Sequence, residues 1–477
     1  MAGGLAEERE RVEEQCEGLA RREQFVRAQG TETLTGGIIT GRYGFTHALY
    51  QQVLYERLAA VRRIQLHRRI GEWEEQRYGE RGGEVAAELA MHFERGQDYE
   101  RAVQYLTQAG CSALWRSAPR EAIRLLTRGL ELLMALPETP ERAQRELALQ
   151  CALGSTLAVT KGYAALEVPR AYERAVELCQ RIGSSRAFFP ALAGLWGIRF
   201  LRAELHPAKE LTAQLSQLAQ STQEPALLLW ARTAQGMLLS TLGELPAALR
   251  SLEEGVALYD PQLHQPGGVQ IVAQDPKVIC LSYAAWTLWR LGYPDQAWKK
   301  RYEAMTVAQE LAHPFSLAFA LDFAGAGVGM FLREAPLVHR QVELLMQLSH
   351  EQSFPYWLAW GIVRQGWVLS EQGEVEAGIA KMRQGLAAIQ RTGAELSGSY
   401  ILAQLAEAYG KAGQIAEGLQ LLAEALARVE KTGERWYEAE LWRLKDELLL
   451  AKTRDSTQQE KRRKGEGVMR KARRVKK

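Results

Sequence analysis

The sequence contains no asparagine, and its five cysteines are far apart, with no C-x-x-C pair among them. Without asparagine there is no acceptor for N-glycosylation, and the side chain that usually reads adenine in a bidentate manner is missing. Because the cysteines are dispersed, neither a disulfide framework nor a zinc site is predicted. The chain is therefore expected to hold no metal and no cofactor.

Long apolar runs and targeting signals are also missing. No apolar run approaches the roughly 20 residues that cross a bilayer. The first residues, MAGGLAEERERVEEQ, are charged where a signal peptide is apolar. The sequence therefore predicts a cytoplasmic protein that does not use a membrane as a partner.

Catalytic motifs are missing as well. There is no G-x-x-x-x-G-K-[ST] phosphate loop, and Lys161 follows no strand or glycine-rich turn. The glycines of FAGAGVGMF, residues 323–331, imitate part of a dinucleotide-binding motif, but they lie in a predicted helix with no strand before it, which indicates close helix packing. His350 and Glu351 lack the second histidine of a metal-binding helix. The chain is not expected to be an enzyme.

Charge is distributed unevenly along the chain, whose net charge is +3. Residues 460–477 hold ten Lys or Arg against two Glu, so the rest of the chain is mildly acidic. Nucleic acid is not an expected partner, since sustained backbone binding needs a positive stripe on a folded face. The last 25 residues contain almost no apolar side chains, and we predict a basic disordered tail over residues 453–477.

The first 79 residues change their periodicity. Residues 7–22 have apolar positions at helical spacing. β-forming residues and a Gly-Gly turn follow, and they predict a hairpin of about residues 24–28 and 38–45. Helix, hairpin and helix give the outline of a partial winged helix with junction helices over residues 1–79.

A helical repeat occupies residues 80–452. GMLLSTLGELPAALRSLEEG and LAEAYGKAGQIAEGLQLLAEA share small residues at offsets of 7 and 12. Small residues let two helices approach, and a turn glycine ends the first of them, so each unit predicts one helix hairpin. Equivalent positions follow at spacings of 40, 49, 41, 40 and 40, at Ala208, Ala248, Ala297, Val338, Gly378 and Gly418.

The long spacing marks an insertion at residues 260–276, where proline and glycine predict a projecting loop. The 40-residue repeat also requires a second hairpin helix near residue 458. The tail has too few apolar residues to form one. We therefore expect a truncation or a shifted reading frame soon after Leu450. The preceding helix, RWYEAELWRLKDELLLAK, is then expected to end the solenoid with part of its apolar surface uncovered, which favours self-association.

These units resemble tetratricopeptide repeats in a longer form of about 40 residues. FTHALYQQVLYERL, RRIQLHRRIGEWEEQRYG and GGEVAAELAMHFERGQDYERAVQYLTQAG resemble the region that follows the nucleotide-binding module in bacterial multidomain signalling ATPases of the STAND class. Such proteins are often fused to a class III adenylate or guanylate cyclase. The resemblance implies an all-α solenoid of tetratricopeptide-like hairpins behind a winged helix, with both catalytic modules absent from this chain. His47 is expected to be a packing residue at a helix start.

In the resembled repeats, the first helix of each hairpin lines the concave face. The corresponding positions here are rich in aromatic side chains. These provide a large contact area and have few rotatable bonds that lose freedom on binding. We expect this groove to bind a protein, a peptide or a small ligand. The alternative is that a tightly wound superhelix fills its own groove and the rings are core. The candidate groove residues are Trp230, Trp286, Trp289, Arg290, Phe323, Trp360, Trp367 and Tyr400.

The predicted function is a non-catalytic sensor region that signals to an upstream ATPase and cyclase module. A DNA-binding regulator that uses the winged-helix remnant and the basic tail is the alternative. The predicted wing, TETLTGG, has no basic residue, and the tail lies on no predicted fold, so the sequence opposes that alternative. An enzyme would require a site hidden in the groove.

The missing phosphate loop leads to a prediction about nucleotides. Because no backbone cradle for phosphates is present, we expect the purified chain neither to bind ATP with micromolar affinity nor to hydrolyse it. Isothermal calorimetry measures the binding, and stoichiometric tight binding of ATP would contradict the prediction.

Overall fold

A computed structural model describes residues 2–22, 25–33, 39–116, 118–162, 165, 167–182, 185–261 and 274–454. Two compact units divide the chain. The first unit is Met1–Ala109 with Arg128–Pro137, and the second is Gly110–Thr127 with Glu138–Lys477. The predicted tail and most of the predicted loop at residues 260–276 lie outside the described residues. The division at residues 79 and 80 stays a prediction.

The first unit begins with a helix, an antiparallel hairpin and a helix, in the predicted order. Val26 pairs with Phe45, and the register shifts between Ala28 and Thr31, where Gly30 has a φ of 104°. The first strand begins two residues later and ends five residues later than predicted, and the predicted turn lies outside the described residues. The bounds are α1 (Ala2–Arg21), β1 (Val26–Thr33), β2 (Ile39–Phe45), α2 (Ala48–Arg57), α3 (Ala60–Tyr78), a 3-10 turn (Gly79–Val85), α4 (Ala86–Arg95) and α5 (Tyr99–Trp115).

His47 stands at the start of α2, as expected, and its ring meets that of Tyr50 edge-on at a centroid distance of 6.2 Å. Its ring is exposed, and its Nδ1 accepts a hydrogen bond from Leu49 N at 3.1 Å. The imidazole therefore caps the helix in the way that Asn or Ser usually does.

Apart from the hairpin, the described chain is helical, which confirms the predicted all-α solenoid. The remaining helices are α6 (Pro119–Leu133), α7 (Pro140–Lys161), α8 (Glu167–Ile182), α9 (Ser185–Leu201), α10 (Leu205–Thr222), α11 (Pro225–Leu242), α12 (Leu245–Ala257), α13 (Pro276–Arg290), α14 (Pro294–Glu310), α15 (Pro314–Ala320), a π-helix (Leu321–Gly327), α16 (Val328–Phe331), α17 (Ala335–Glu351), α18 (Pro355–Glu371), α19 (Val375–Arg391), α20 (Gly398–Lys411), α21 (Ile415–Thr432) and α22 (438–454).

The repeat alignment is confirmed helix by helix. Each of the six aligned positions is the fourth residue of a second hairpin helix: α10, α12, α14, α17, α19 or α21. All six are buried. The first helices of the hairpins are α9, α11, α13, the continuous α15–π–α16 segment, α18, α20 and α22.

Each turn between a first and a second helix contains one residue in the left-handed region. Gly243, Gly292, Gly373 and Gly413 have φ between 73° and 93°. In the other two units Ala203 and Arg333 adopt φ of 55° and 59°, so the predicted turn glycine is present in four units of six. The amide after each such residue donates back to the first helix, as Glu244 N does to Leu239 O at 2.9 Å, which pairs otherwise orphaned carbonyls.

The solenoid winds until successive turns touch. The amides of Glu395 and Leu396 donate to Leu201 O at 2.8 and 3.0 Å. The amides of Arg435 and Trp436 donate in the same way to Thr241 O at 3.1 and 3.2 Å. Both acceptors lie at the C-terminal end of a first helix, and both donor pairs lie just before the first helix five hairpins further on. We call these two contacts the turn-to-turn seam; they show that about five hairpins complete one superhelical turn.

One apolar stretch is longer than the sequence analysis allowed. Pro314–Phe331 is long and apolar enough to cross a membrane by length and composition. However, 78% of it is buried inside the protein, which is typical of a core helix. Gly325 and Gly327 lie against Gln341 and Trp286, with no room for a side chain, so the expected close packing of these glycines is confirmed.

The last described helix, α22, is partly covered. Leu441, Leu444 and Leu448 are buried in the core, whereas Leu449 and Leu450 are exposed. Trp442, nearer the start of the helix, is exposed as well, so the uncovered apolar surface is not confined to the end of the helix. Self-association through it stays a prediction.

The contact between α18 and α19 supplies a stability test. A Cβ on Gly366 would lie 2.6 Å from Gly378 O, so Gly366→Ala must push two backbones apart, at a cost of about 1–3 kcal/mol. Gly197→Ala is the matched control, because a Cβ there meets nothing within 4 Å. We expect thermal unfolding followed by circular dichroism to show a lower Tm for Gly366→Ala and an unchanged or higher Tm for Gly197→Ala. Equal Tm values would contradict the close approach.

Candidate ligand-binding site

The eight candidate groove residues all lie on first helices, and the structure gathers them across hairpins. Trp230 lies on α11, Phe323 on the π-helix and Tyr400 on α20. The other five lie on α13 and α18. Two neighbouring groups result: an arginine cluster around Arg364, and the wall of a cavity.

Most of these rings are not exposed. An open groove predicts rings that are partly exposed to solvent. That prediction is wrong for Trp286, Trp360 and Trp367, whose side chains are 5%, 3% and 4% exposed. Trp289 is half-buried, with its ring stacked on Phe331 at a centroid distance of 6.1 Å. The turn-to-turn seam closes the groove, so rings from different hairpins cover one another. The alternative of a superhelix that fills its own groove therefore describes this part of the solenoid.

Arg364 is the centre of the arginine cluster and was not among the candidates. Its side chain is fully buried, and its Nε and Nη2 donate to the two carboxylate oxygens of Asp322 at 3.1 and 3.3 Å. Its Nη1 donates to the Tyr400 hydroxyl at 2.8 Å. Burial opposes the charge, but the Asp322 carboxylate and Tyr400 outweigh it and hold the pKa of Arg364 above its usual range.

Aromatic faces surround the same guanidinium. Its central carbon lies 4.8 Å from the Trp360 ring centroid, 5.4 Å from that of Tyr400 and 6.0 Å from that of Trp286. A desolvated cation over several rings gains electrostatic stabilisation from each of them. The aromatic stripe thus stabilises a buried charge of the protein itself.

The sequence does contain a signal for this pair. Arg364 is the only charge within YWLAWGIVRQGWVLS, and Asp322 is the only charge within PFSLAFALDFAGAGVGMF. Isolated opposite charges in two apolar helices of neighbouring units indicate a buried ion pair, because an unpaired charge there is too costly.

Arg290 is held by the solenoid as well. Its Nη1 donates to Ser240 O at 3.0 Å, its Nε donates to Trp286 O at 3.1 Å, and its guanidinium lies 5.4 Å from the Trp436 ring centroid. Burial lowers the pKa of Arg290 to about 10. Arg290, on α13, therefore links this first helix to α11, the first helix of the preceding hairpin.

A cavity of about 100 Å³ lies beside the arginine cluster in the second unit. Trp230, Phe323 and Trp360 are the candidate residues that line it. No charged side chain lines the cavity among the residues that the structure describes. Seven further aromatic residues complete its wall: Tyr172, Trp196, Phe200, Tyr283, Phe319, Tyr356 and Trp357.

First helices supply nine of the ten aromatic residues of this wall, as the resemblance to tetratricopeptide repeats implied, and Tyr172 lies on α8. The nine aromatic residues come from α9, α11, α13, α15 with its π-helix, and α18. These are the first helices of five consecutive hairpins, which is one superhelical turn. The cavity is therefore a part of the superhelical axis that the side chains leave unfilled.

Two indole groups in this wall lack hydrogen-bond partners. The Nε1 atoms of Trp357 and Trp360 are buried and unpaired. Trp196 Nε1, in the same wall, donates to Thr212 Oγ1 at 2.8 Å. Buried N–H groups are nearly always paired with protein or water, so these two donors are exceptions among the side chains of the wall.

Two groups with side chains of the catalytic type, Cys280 and the Ser316–His313 pair, are buried. Burial raises the pKa of the Cys280 thiol to about 12, so it is not a thiolate at neutral pH. Ser316 Oγ lies 2.8 Å from His313 Nδ1, but it also accepts from Asp275 N, and both side chains are buried at the start of α15. Burial lowers the pKa of His313 to about 4. The absence of enzymatic activity stays a prediction.

One group in the first unit has side chains of the metal-ligand type. Atoms of Glu74, Glu88 and His92 lie within 4.8 Å of one another. Glu88 is exposed, and His92 Nδ1 lies 3.0 Å from His67 Nδ1. Burial lowers the pKa of His92, which keeps its ring neutral. The expected absence of a metal stays a prediction.

Comparisons with known proteins show limited similarity. No family model matches the chain. A protein of Rhizobium meliloti (strain 1021), described as uncharacterized, is 26% identical over 418 residues, which are 87% of this chain and 40% of that protein. The chain thus spans less than half the length of this relative.

Several solved helical structures share part of the topology. A Rap protein complexed with competence and sporulation factor gives a TM-score of 0.48 at 10% identity, covering 73% of this chain and 98% of that one. The apo form of RapI gives 0.45 at 12% identity, covering 61% and 98%. The Cut9–Hcn1 assembly of the APC/C gives 0.38 at 14% identity, covering 84% and 79%. With TM-scores below 0.5, none of them informs the function.

The ion pair between Arg364 and Asp322 generates a stability prediction. Arg364→Met leaves the Asp322 carboxylate buried without a partner, and we expect a loss of about 3–5 kcal/mol in chemical denaturation. The double variant Arg364→Met/Asp322→Leu removes both charges and is expected to lose less.

Arg333→Met is the control. Its ion pairs with Glu371 and Glu407 are partly exposed, and such pairs contribute about 0–1 kcal/mol. A double variant as unstable as Arg364→Met would show that the buried charge is not the cause.

Proposed function

We propose that this chain is a non-catalytic sensor region whose solenoid binds a ligand and transmits the bound state to an ATPase and cyclase module outside the chain. The observation that carries the proposal is the aromatic cavity on the superhelical axis. Nine of its ten aromatic residues belong to five consecutive hairpins, and its wall contains two buried indole N–H groups without partners. A regulatory binding solenoid is the function that this geometry supports best.

The position of the cavity explains how a small ligand can act on the whole solenoid. In a repeat protein each hairpin contacts mainly its neighbours, so stability is a sum of local contacts. A ligand on the axis touches several hairpins at once. Binding therefore favours the tightly wound superhelix over more open arrangements of the hairpins. A partner that binds these arrangements with different affinities then responds to the ligand.

The first unit offers a surface for the transmitted signal. No residue of α2 is buried, and Leu49, Val53 and Leu54 are exposed on it, together with Val61 at the start of α3. A cluster of exposed apolar side chains of this kind is typical of a contact with another domain. We assign this surface to the upstream module. An adjoining reading frame that encodes an ATPase or a cyclase would support the link, and an unrelated frame would contradict it.

Ligand binding can be tested by filling the cavity. Gly197 lines it, and a Cβ there meets nothing within 4 Å, so the side chain of Gly197→Leu starts in open space and is expected to fill part of the cavity. We expect at least one compound from a panel of short peptides, neutral aromatic compounds and charged metabolites to raise the Tm of the wild-type chain but not of Gly197→Leu. A ligand at 100 times its Kd stabilises by about 2.7 kcal/mol, which is readily measured as a thermal shift.

The matched control is Gly18→Leu. Gly18 lies on α1 in the first unit, and a Cβ there also meets nothing within 4 Å. This variant is expected to respond to ligands as the wild type does. If every compound that binds also binds Gly197→Leu equally well, the cavity is not the sensor site.

A further inference from the structure

We propose that the ligand of the axial cavity is a neutral single-ring aromatic compound with a hydrogen-bond acceptor, held by the indole N–H groups of Trp357 and Trp360. The inference rests on the proposed function and names the class of ligand. Four properties of the cavity lead to it: its size, its lack of charge, its aromatic wall and its two unpaired donors.

Size limits the ligand to one ring. The cavity measures about 100 Å³. An engineered apolar cavity of about 150 Å³ in another protein binds benzene, and liquid water takes about 30 Å³ per molecule. The space therefore holds one five- or six-membered ring with a small substituent, or a few waters. A peptide reaches it only with a single side chain.

The wall excludes charged ligands. An ion that enters loses its hydration, and no charged side chain of the described wall compensates for the loss. The nearest buried cation, Arg364, is already paired with Asp322, and it lies against the ring of Trp360. Neither charge is free to balance one on the ligand.

The aromatic wall favours a planar ring. Phe319 and Phe323 stack at a centroid distance of 4.6 Å, and Trp357 meets Phe319 edge-on at 5.6 Å. Tyr283 lies 5.1 Å from Phe323. A bound ring can continue these stacked and edge-to-face contacts, which an aliphatic ligand of the same area does not make.

The two donors require an acceptor. Trp357 and Trp360 are 2% and 3% exposed, so solvent outside the cavity does not satisfy their Nε1 atoms. They are three residues apart on α18 and therefore share one face of the helix. A ring nitrogen or a small carbonyl group on the ligand can pair with them, whereas a pure hydrocarbon leaves them unsatisfied.

Benzene and pyridine provide a matched pair of probes, since they have nearly the same shape and only pyridine has an acceptor. At pH 8 pyridine is neutral, and N-methylpyridinium and benzoate serve as charged counterparts. Ligand-observed NMR titrations of the full chain give the dissociation constants. We expect the wild type to bind pyridine and benzene, and to bind neither charged compound at the same site.

Removal of the donors separates the two probes. In Trp357→Phe/Trp360→Phe we expect pyridine to bind about tenfold more weakly, the loss of roughly one hydrogen bond, and benzene to bind within about twofold of the wild type. Trp442→Phe is the control, because Trp442 is exposed on α22. If the double variant does not fold, the two single variants give the same comparison, and the contrast between pyridine and N-methylpyridinium needs no variant.

The outcomes distinguish the inference from the proposed function. Equal weakening of benzene and pyridine in the Phe variant would overturn the role of the two N–H groups. Binding of a peptide or a charged metabolite, blocked by Gly197→Leu, with no binding of either neutral probe would overturn the ligand class and leave the sensor function standing. If no compound of any class distinguishes the wild type from Gly197→Leu, the cavity holds only solvent and both proposals fail.

Discussion

The turn-to-turn seam is the contact on which the rest of the second unit depends. Two carbonyl groups, Leu201 O and Thr241 O, each accept two amides from a segment one superhelical turn later. Carbonyls at the end of a helix lack partners within that helix, so these bonds satisfy groups that would otherwise need water. Because the same contact recurs one hairpin later, it fixes both the pitch of the solenoid and the number of hairpins per turn.

The tight pitch of the superhelix determines which side chains of the first helices are buried. Their inner faces meet across the axis, which explains why rings placed in a groove by the repeat pattern are buried. The same closure buries Arg364 and Asp322, whose charges are tolerable only as a hydrogen-bonded pair among aromatic faces. Where ten aromatic residues, nine of them on the first helices of five hairpins, do not fill the axis completely, the cavity remains. The candidate sensor site is thus a consequence of the winding.

The sequence predicted the periodic features and missed those that depend on the relation between distant hairpins. The aligned positions from Ala208 to Gly418 mark the second helices correctly, because small residues are required wherever two adjacent helices touch. The left-handed turns at Ala203 and Arg333 were not predicted, since neither residue favours that conformation. The repeat length does not determine how many hairpins complete a turn, so neither the seam nor the burial of Trp286 and Trp367 was predictable from it.

For the candidate site, three of eight predicted residues line the cavity: Trp230, Phe323 and Trp360. Trp357 was missed because it lies three residues before Trp360, the first concave position of this unit, although both share one face of α18. In a closed turn both indoles reach the axis. The lone charges Arg364 and Asp322 were visible in the sequence, and only the tertiary contact shows that they pair.

Amide hydrogen exchange across the seam tests the central claim most directly. If the solenoid closes on itself, the amides of Glu395, Leu396, Arg435 and Trp436 are protected in the free chain to the degree of helical core amides, although all four lie in segments between helices. If they exchange as fast as the amides of exposed turns, the turns of the superhelix do not touch. The axial cavity, and with it the proposed sensor site, would then not exist as described.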